Sequence, residues 1–343
     1  RRGPAVQKAG QWAAGHWGVV VDLLRLALRA AALAPKPLLA ALTGAARKAL
    51  PKEWVPLAGA DLPGPGPRRR GDVTLGSGGG QVRGPGPAGV AAVYFATCVN
   101  SLFAPVSGGI GVGAALGQLC RLAGVRLAVP DGIGGLCCGT VWTSKGLTDG
   151  AAKMATAVFD ALWRATAGGE LAVVADAASC THGLQSLREH LDARRAEQAG
   201  ALRVVDAVSF VRRELSPRLR VDRRLGAVAV HPTCSTVHIG AKDDLVALAG
   251  LVGAEVFVPL AWGCCAFAGD RGMLHPELTA AATRPEADAV WAAEDARARA
   301  GGGDGRFDAY VSANRTCELG IGRATGRAYR HVLEALAPLA RPA

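Results

Sequence analysis

The stretch Leu127-Ala128-Val129-Pro130-Asp131-Gly132-Ile133-Gly134-Gly135-Leu136-Cys137-Cys138-Gly139-Thr140 decides how this chain is read. A short apolar run, a Gly/Pro turn and two adjacent cysteines follow one another, which puts the cysteine pair just beyond the carboxyl end of a strand. The same form returns as VFVPLAWGCCAFAG at 256–269, with Cys264 standing 127 residues after Cys137. Working outward from the pair, AVYFATC at 92–98 matches VAVHPTC at 228–234, and VVADAASCTHG at 173–183 matches AYVSANRTCELG at 309–320. Cys98, Cys137, Cys138 and Cys180 thus recur in order as Cys234, Cys264, Cys265 and Cys317. An internal period carrying eight of the nine cysteines marks a duplicated structural unit.

The segments between these cysteines set the fold class. Strand-like runs at 90–96, 125–130 and 171–176 alternate with helical stretches near 110–123, 145–167 and 183–198. The alternation resumes with runs at 227–231, 254–259 and 307–312 and helical stretches near 241–252, 277–299 and 320–337. This βαβ rhythm predicts an α/β protein with parallel strands, built as two tandem pseudo-symmetric repeats over 90–225 and 226–343. Residues 1–58 read as a helical connector arm broken at Pro35 and Pro37, with Val20, Leu23, Leu24, Ala27, Leu28 and Ala31 on its apolar face. Residues 59–89, rich in Gly and Pro, read as a flexible linker.

Composition narrows the function classes. Of the net charge of +11, residues 1–90 carry +9 (13 Lys+Arg against 4 Asp+Glu). The body is therefore nearly neutral, and with only 5% aromatic residues it does not read as a nucleic-acid platform. A basic arm fits a membrane surface or a docking partner. The most apolar stretch, 17–34, contains Asp22, Arg25 and Arg29, which argues against a membrane span. No signal peptide is visible and the chain begins without Met, so it reads as a fragment or the C-terminal part of a longer protein, cytoplasmic and at most resting on the inner face of a membrane. Cysteines in that setting point to metal or redox use.

In an open parallel sheet, ligands gather beyond the carboxyl ends of the strands. Each half can therefore converge four thiolates: Cys98, Cys137, Cys138 and Cys180 in one, and Cys234, Cys264, Cys265 and Cys317 in the other. Four thiolates suit an iron–sulfur cluster, 4Fe–4S first, in one half or both, or a zinc ion in one of them. Cys120, outside the repeat, reads as packing. His182, His231 and His238 lie near the cysteines as ligands, proton carriers or core histidines. Asp270, Arg271 and Arg315 either orient the cysteine loops or form internal ion pairs. The run GGIGVG at 108–113 mimics a dinucleotide loop but lacks an acidic ribose partner.

The pattern C-x38-C-C-G-x40-C-x-x-G, then C-x29-C-C-x51-C-x-x-G, resembles the duplicated cysteine-rich CCG domain. That domain is known from the cysteine-rich component of heterodisulfide reductase and from the iron–sulfur components of glycolate oxidase and anaerobic glycerol-3-phosphate dehydrogenase. The strings HPTCS (231–235), CCAFAGDRGMLHPELTAAAT (264–283), SANRTCELG (312–320) and GRAYRH (326–331) look most like the C-terminal module of FAD-linked, iron–sulfur D-lactate dehydrogenases. That resemblance implies an electron-transfer module for a D-2-hydroxy-acid dehydrogenase. Electrons would arrive from an FAD domain and a ferredoxin-like domain or subunit, and leave to a cytochrome or quinone. Two departures stand out. Cys180-Thr181-His182-Gly183 and Cys317-Glu318-Leu319-Gly320 lack the final cysteine of the heterodisulfide reductase motif, and Ala266 replaces the glycine after the second pair. A zinc-stabilised docking scaffold and a thiol–disulfide module are the alternative readings.

Overall fold

The run Val90–Phe95 is apolar on both sides of its pleat, and five of its six residues are buried. Such a strand belongs in a parallel sheet covered by helices on both faces. In the computed structural model, which describes residues 3–50, 55–59, 62–71, 74–76, 86, 89–301 and 303–343, it lies inside the first of two main sheets. That sheet holds β1 (Thr74–Leu75), β2 (Val90–Phe95), β3 (Arg126–Ala128), β4 (Ala172–Ala175) and β5 (Val204–Asp206), in the order β1-β3-β2-β4-β5. β2 to β5 pair in parallel, and β1 adds an antiparallel edge.

After β6 (Leu219–Val221), the second sheet takes β7 (Leu225–Val230), β8 (Gly253–Phe257), β9 (Ala309–Ser312) and β10 (Tyr329–His331), in the order β10-β9-β7-β8 and all parallel. β11 (Ala340–Pro342) turns back to pair antiparallel with β6. Read from the other edge, the second order is β8-β7-β9-β10, beside β3-β2-β4-β5 in the first sheet. One apolar core, including Val93, Val173, Leu116, Val228, Val311 and Leu333, runs through both.

Local chemistry moved several expected boundaries. The helix expected over 320–337 stops at Gly326, whose φ of 69° caps helix Arg315–Thr325; left-handed backbone there suits glycine. The chain then extends as β10. The helix expected near 183–198 starts earlier, at Ala178–Gln185, and resumes at Ala193–Ala199, where Asp192 caps the Arg195 N–H at 3.0 Å. Gly111 (φ 83°) opens helix Val112–Leu122 in the GGIGVG run, and Glu334 of the second half takes its N–H at 2.9 Å. That donor is committed to joining the halves.

The arm consists of helices Pro4–Gly15, Trp17–Leu33 and Lys36–Ala49. Pro37 does not break the chain: it sits in the first turn of the third helix, where a missing N–H costs nothing. The buried face of the second helix is Trp17, Val21 and Arg25, while Leu23 and Leu24 point outward. Arg25 sets this roll. Its buried guanidinium donates to the carbonyls of Gly66 and Ser101. Trp17 packs edge-on against Trp142, with ring centroids 4.9 Å apart. No described helix is long and apolar enough to cross a membrane.

Of the expected flexible linker, residues 60–61, 72–73, 77–85 and 87–88 lie outside the described residues. Residues 62–71 are held against the body rather than hanging free. Gly64 accepts the Ala104 N–H at 2.8 Å, and Gly66 approaches Asn100 so closely that a Cβ would lie 2.1 Å from the Asn100 carbonyl.

Candidate metal centres

The first set of cysteines is assembled at the carboxyl ends of β2, β3 and β4. Cys98 opens the short helix Cys98–Leu102, and the Thr97 N–H before it is held by buried Asp176 at 2.9 Å. The tyrosine hydroxyl of Tyr94 also donates to Asp176. Cys137 and Cys138 lie in the loop after β3, where Gly139 makes the turn with φ 95°. Arg69 gathers this loop by donating to Leu136 O (2.8 Å), Gly134 O (2.8 Å) and Ala96 O (3.3 Å). Cys180 lies in helix Ala178–Gln185. Gly183 lets that helix approach the cysteine turn: a Cβ there would fall 2.5 Å from Thr140 Oγ1.

All four thiols are buried. Cys98 Sγ stands 3.8 Å from Cys137 Sγ, and the free thiol of Cys138 shares hydrogen bonds with those of Cys137 and Cys180. The four share protons. Bonds to Cys137 and Cys180 hold Cys138 well below the ordinary thiol value, while those bonds and burial push Cys137 and Cys180 well above it. Cys98 is lowered, first by its bond to Cys137. A metal bound by such a set would release the shared protons.

The cysteines of the second set follow β7, β8 and β9. Cys234 opens helix Cys234–His238, capped by Thr233 Oγ1 accepting the Thr236 N–H at 3.0 Å. Cys264 and Cys265 lie in the loop after β8, and Cys317 lies in helix Arg315–Thr325. Cys265 Sγ and Cys317 Sγ are 3.1 Å apart, and Asn314 Nδ2 reaches Cys317 Sγ at 3.5 Å. Ala266 adopts φ 53°, so the missing glycine did not change the turn; the alanine bears the left-handed cost instead. Cys265 and Cys317 are buried, Cys234 is half-buried and Cys264 is exposed. The hydrogen bond to Cys234 brings Cys264 down to about 6, and the hydrogen bond to Cys317, with the imidazole of His231 nearby, brings Cys265 down to about 5. Cys234 and Cys317 are raised in return.

His231, at the end of β7, joins this second set. It is fully buried, its Nδ1 lies 2.8 Å from both carboxylate oxygens of Glu286, and Glu286 is only 2% exposed. Its Nε2 has no hydrogen-bond partner among the described residues. A ligating atom of His231, Cys265 Sγ and Cys317 Sγ all lie within 4.8 Å of one another. Burial pulls the imidazole down, but Cys265 and Glu286 together push it up to about 9. In the first half Phe95 occupies the corresponding position, 136 residues earlier.

The two sets are joined through their carriers. Ser179, beside Cys180, donates to Asn314 Oδ1 at 3.1 Å, and the Ala178 N–H reaches Ala313 O at 3.3 Å. The rings of His182 and His238 lie 5.6 Å apart, one from each half. Lys145 and Asp270 pair across the halves at 2.9 Å. Arg315 forms a buried internal pair with Glu318 at 3.0 Å, and Arg271 is exposed. Cys120 is enclosed in helix Val112–Leu122, where burial pushes its thiol up to about 12. Sequence reasoning missed Glu286, Asp176 and the role of Arg69. Only Arg69 left a trace, as part of the Arg68-Arg69-Arg70 run.

No curated protein matches the chain. The family model of the cysteine-rich CCG domain matches residues 92–185, a span that contains Cys98, Cys137, Cys138 and Cys180 together with β2, β3 and β4. That match supports a CCG cysteine-rich module over 92–185, and the clustered cysteines and histidine suit metal or iron–sulfur binding.

Proposed function

We propose that this chain is an iron–sulfur electron-transfer module with one cysteine centre in each half, the halves being a tandem duplication. The observation that supports this reading best is that cysteines follow strand ends in both sheets and pair there, Cys98 Sγ with Cys137 Sγ at 3.8 Å and Cys265 Sγ with Cys317 Sγ at 3.1 Å. The matching strand orders of the two sheets support the duplication, and CCG domains are typically found in oxidoreductase components.

Cys98, Cys137, Cys138 and Cys180 would hold one metal group, and Cys234, Cys264, Cys265 and Cys317 the other. A 4Fe–4S cluster supplies one-electron transfer when bound. The chain's own part is to bury the thiolates, to orient them from strand ends, and to link the sets through Ser179 and Asn314. Within a D-lactate dehydrogenase-like flavoenzyme, electrons would enter from flavin and ferredoxin-like domains and leave to a cytochrome or quinone. The HPTCS and SANRTCELG strings support that setting.

The test is iron and acid-labile sulfide analysis of anaerobically purified protein, with electron paramagnetic resonance of the oxidised and reduced states. Iron and sulfide with a redox-active signal are expected, lost stepwise in Cys138→Ser and Cys265→Ser variants. Zinc without iron would overturn the relay and favour a docking scaffold.

A further inference from the structure

The two halves differ at one buried position that faces the cysteines. His231 is locked on three sides. Its N–H donates to Val311 O at 2.8 Å, its carbonyl accepts from Ser312 Oγ at 3.0 Å, and Glu286 grips Nδ1. A carboxylate on Nδ1 fixes the ring orientation and leaves Nε2 as the free face. That face is buried and unpartnered among the described residues, and an unpaired buried polar atom is costly unless it has a ligand. The sulfurs of Cys265 and Cys317 lie within ligating reach of the same ring. A carboxylate, a histidine and metal-facing thiols are the elements of an oriented histidine ligand.

We infer that His231 Nε2 is a ligand of the metal group in the second centre, with Cys265 and Cys317 as its buried partners and Glu286 as the positioning residue. This rests on the reading of the cysteine sets as metal centres. The two centres are then chemically unequal. The first is all-sulfur, because Phe95 stands where His231 stands in the second. The second replaces one thiolate by a neutral nitrogen taken on the protein's inner side, and the fourth ligand comes from the outer pair, Cys234 and Cys264. Binding displaces the Nε2 proton, and Glu286 keeps the ring aligned through Nδ1. Exchanging thiolate for imidazole removes negative charge from the group, which raises its potential when the group is redox-active. The unequal centres would give the relay a direction, toward the second half.

The experiment uses the full chain, purified anaerobically and reconstituted with ferrous iron and sulfide, with natural-abundance or 15N-labelled histidine. Pulsed electron paramagnetic resonance of the reduced protein should show a strong histidine nitrogen coupling that changes with the isotope. The coupling should vanish in His231→Gln and persist in His182→Gln and His238→Gln. Glu286→Gln should keep the coupling but weaken metal retention about 10- to 100-fold against a competing chelator. Where the second centre takes zinc instead, zinc-edge X-ray absorption of the same samples should require one nitrogen, lost in His231→Gln. Metal bound with sulfur ligands only, unaffected by the histidine isotope or by His231→Gln, overturns the inference while leaving the metal centres standing. Protein that binds neither iron nor zinc overturns both. Circular dichroism of each variant separates loss of a ligand from loss of the fold.

Discussion

Asp206 offers the sharpest test of the electrostatics around the first centre. It ends β5 and caps helix Ala207–Phe210, accepting from the Val208 N–H at 2.9 Å and from Thr181 Oγ1 at 2.7 Å. Thr181 is the neighbour of Cys180. Burial raises the carboxyl from 3.8 to about 7, against the two hydrogen bonds that lower it. The folded chain therefore keeps this proton over a range where the unfolded chain has lost it, and stability falls as pH rises from about 4 to about 7. A pKa difference of about 3 between the folded and unfolded chain corresponds to about 4 kcal/mol. Asp206→Asn keeps the shape and cannot ionise. Urea unfolding of both proteins at pH 4 and pH 8 should show the variant gaining about 4 kcal/mol relative to the parent across that interval. Glu318 is also raised to about 7 by burial, but it is common to both proteins and cancels in the difference. A parent–variant difference that stays constant within about 1 kcal/mol from pH 4 to pH 8 would refute the assignment of a proton to buried Asp206.

Three further outcomes are expected. Ala266→Gly relieves the left-handed alanine after Cys265 and should stabilise the chain by about 1 kcal/mol, read as a raised thermal midpoint with metal content unchanged. Arg25→Met keeps the buried stem but leaves the Gly66 and Ser101 carbonyls without their charged donor. It should cost about 3 kcal/mol and accelerate hydrogen exchange in Trp17–Leu33 before the sheets are affected. Cys120→Ala should cost about 1 kcal/mol through a small cavity and leave iron, zinc and sulfide content at the parent level, because Cys120 belongs to neither set.

The strands that carry cysteines were legible because each is a run of apolar residues ended by a turn, and a two-fold internal match fixed their order. β5 and β10 were not. Val204–Asp206 and Tyr329–His331 are three residues long, too short for periodicity, and their strand character comes from pairing with neighbours already in place. The candidate cysteine sets were drawn from spacing, since each single cysteine or vicinal pair follows a strand in the sequence. Glu286 could not: it reaches His231 from a helix 55 residues away, with no local pattern to announce it. The roll of the arm helix was misread for a related reason. Leu23 and Leu24 look like core residues until Arg25 is seen anchored on Gly66 and Ser101.

The uneven cover over the cysteines has a consequence for handling the protein. Thiolate fraction and access together set how fast a cysteine meets an alkylating agent or peroxide. Cys264 is exposed and its hydrogen bond to Cys234 favours its thiolate, whereas the whole first set is sealed. In metal-free protein, iodoacetamide should mark Cys264 long before any of Cys98, Cys137, Cys138 or Cys180. Air should spoil the second centre first, so a preparation that looks half-loaded would report the history of its exposure to oxygen.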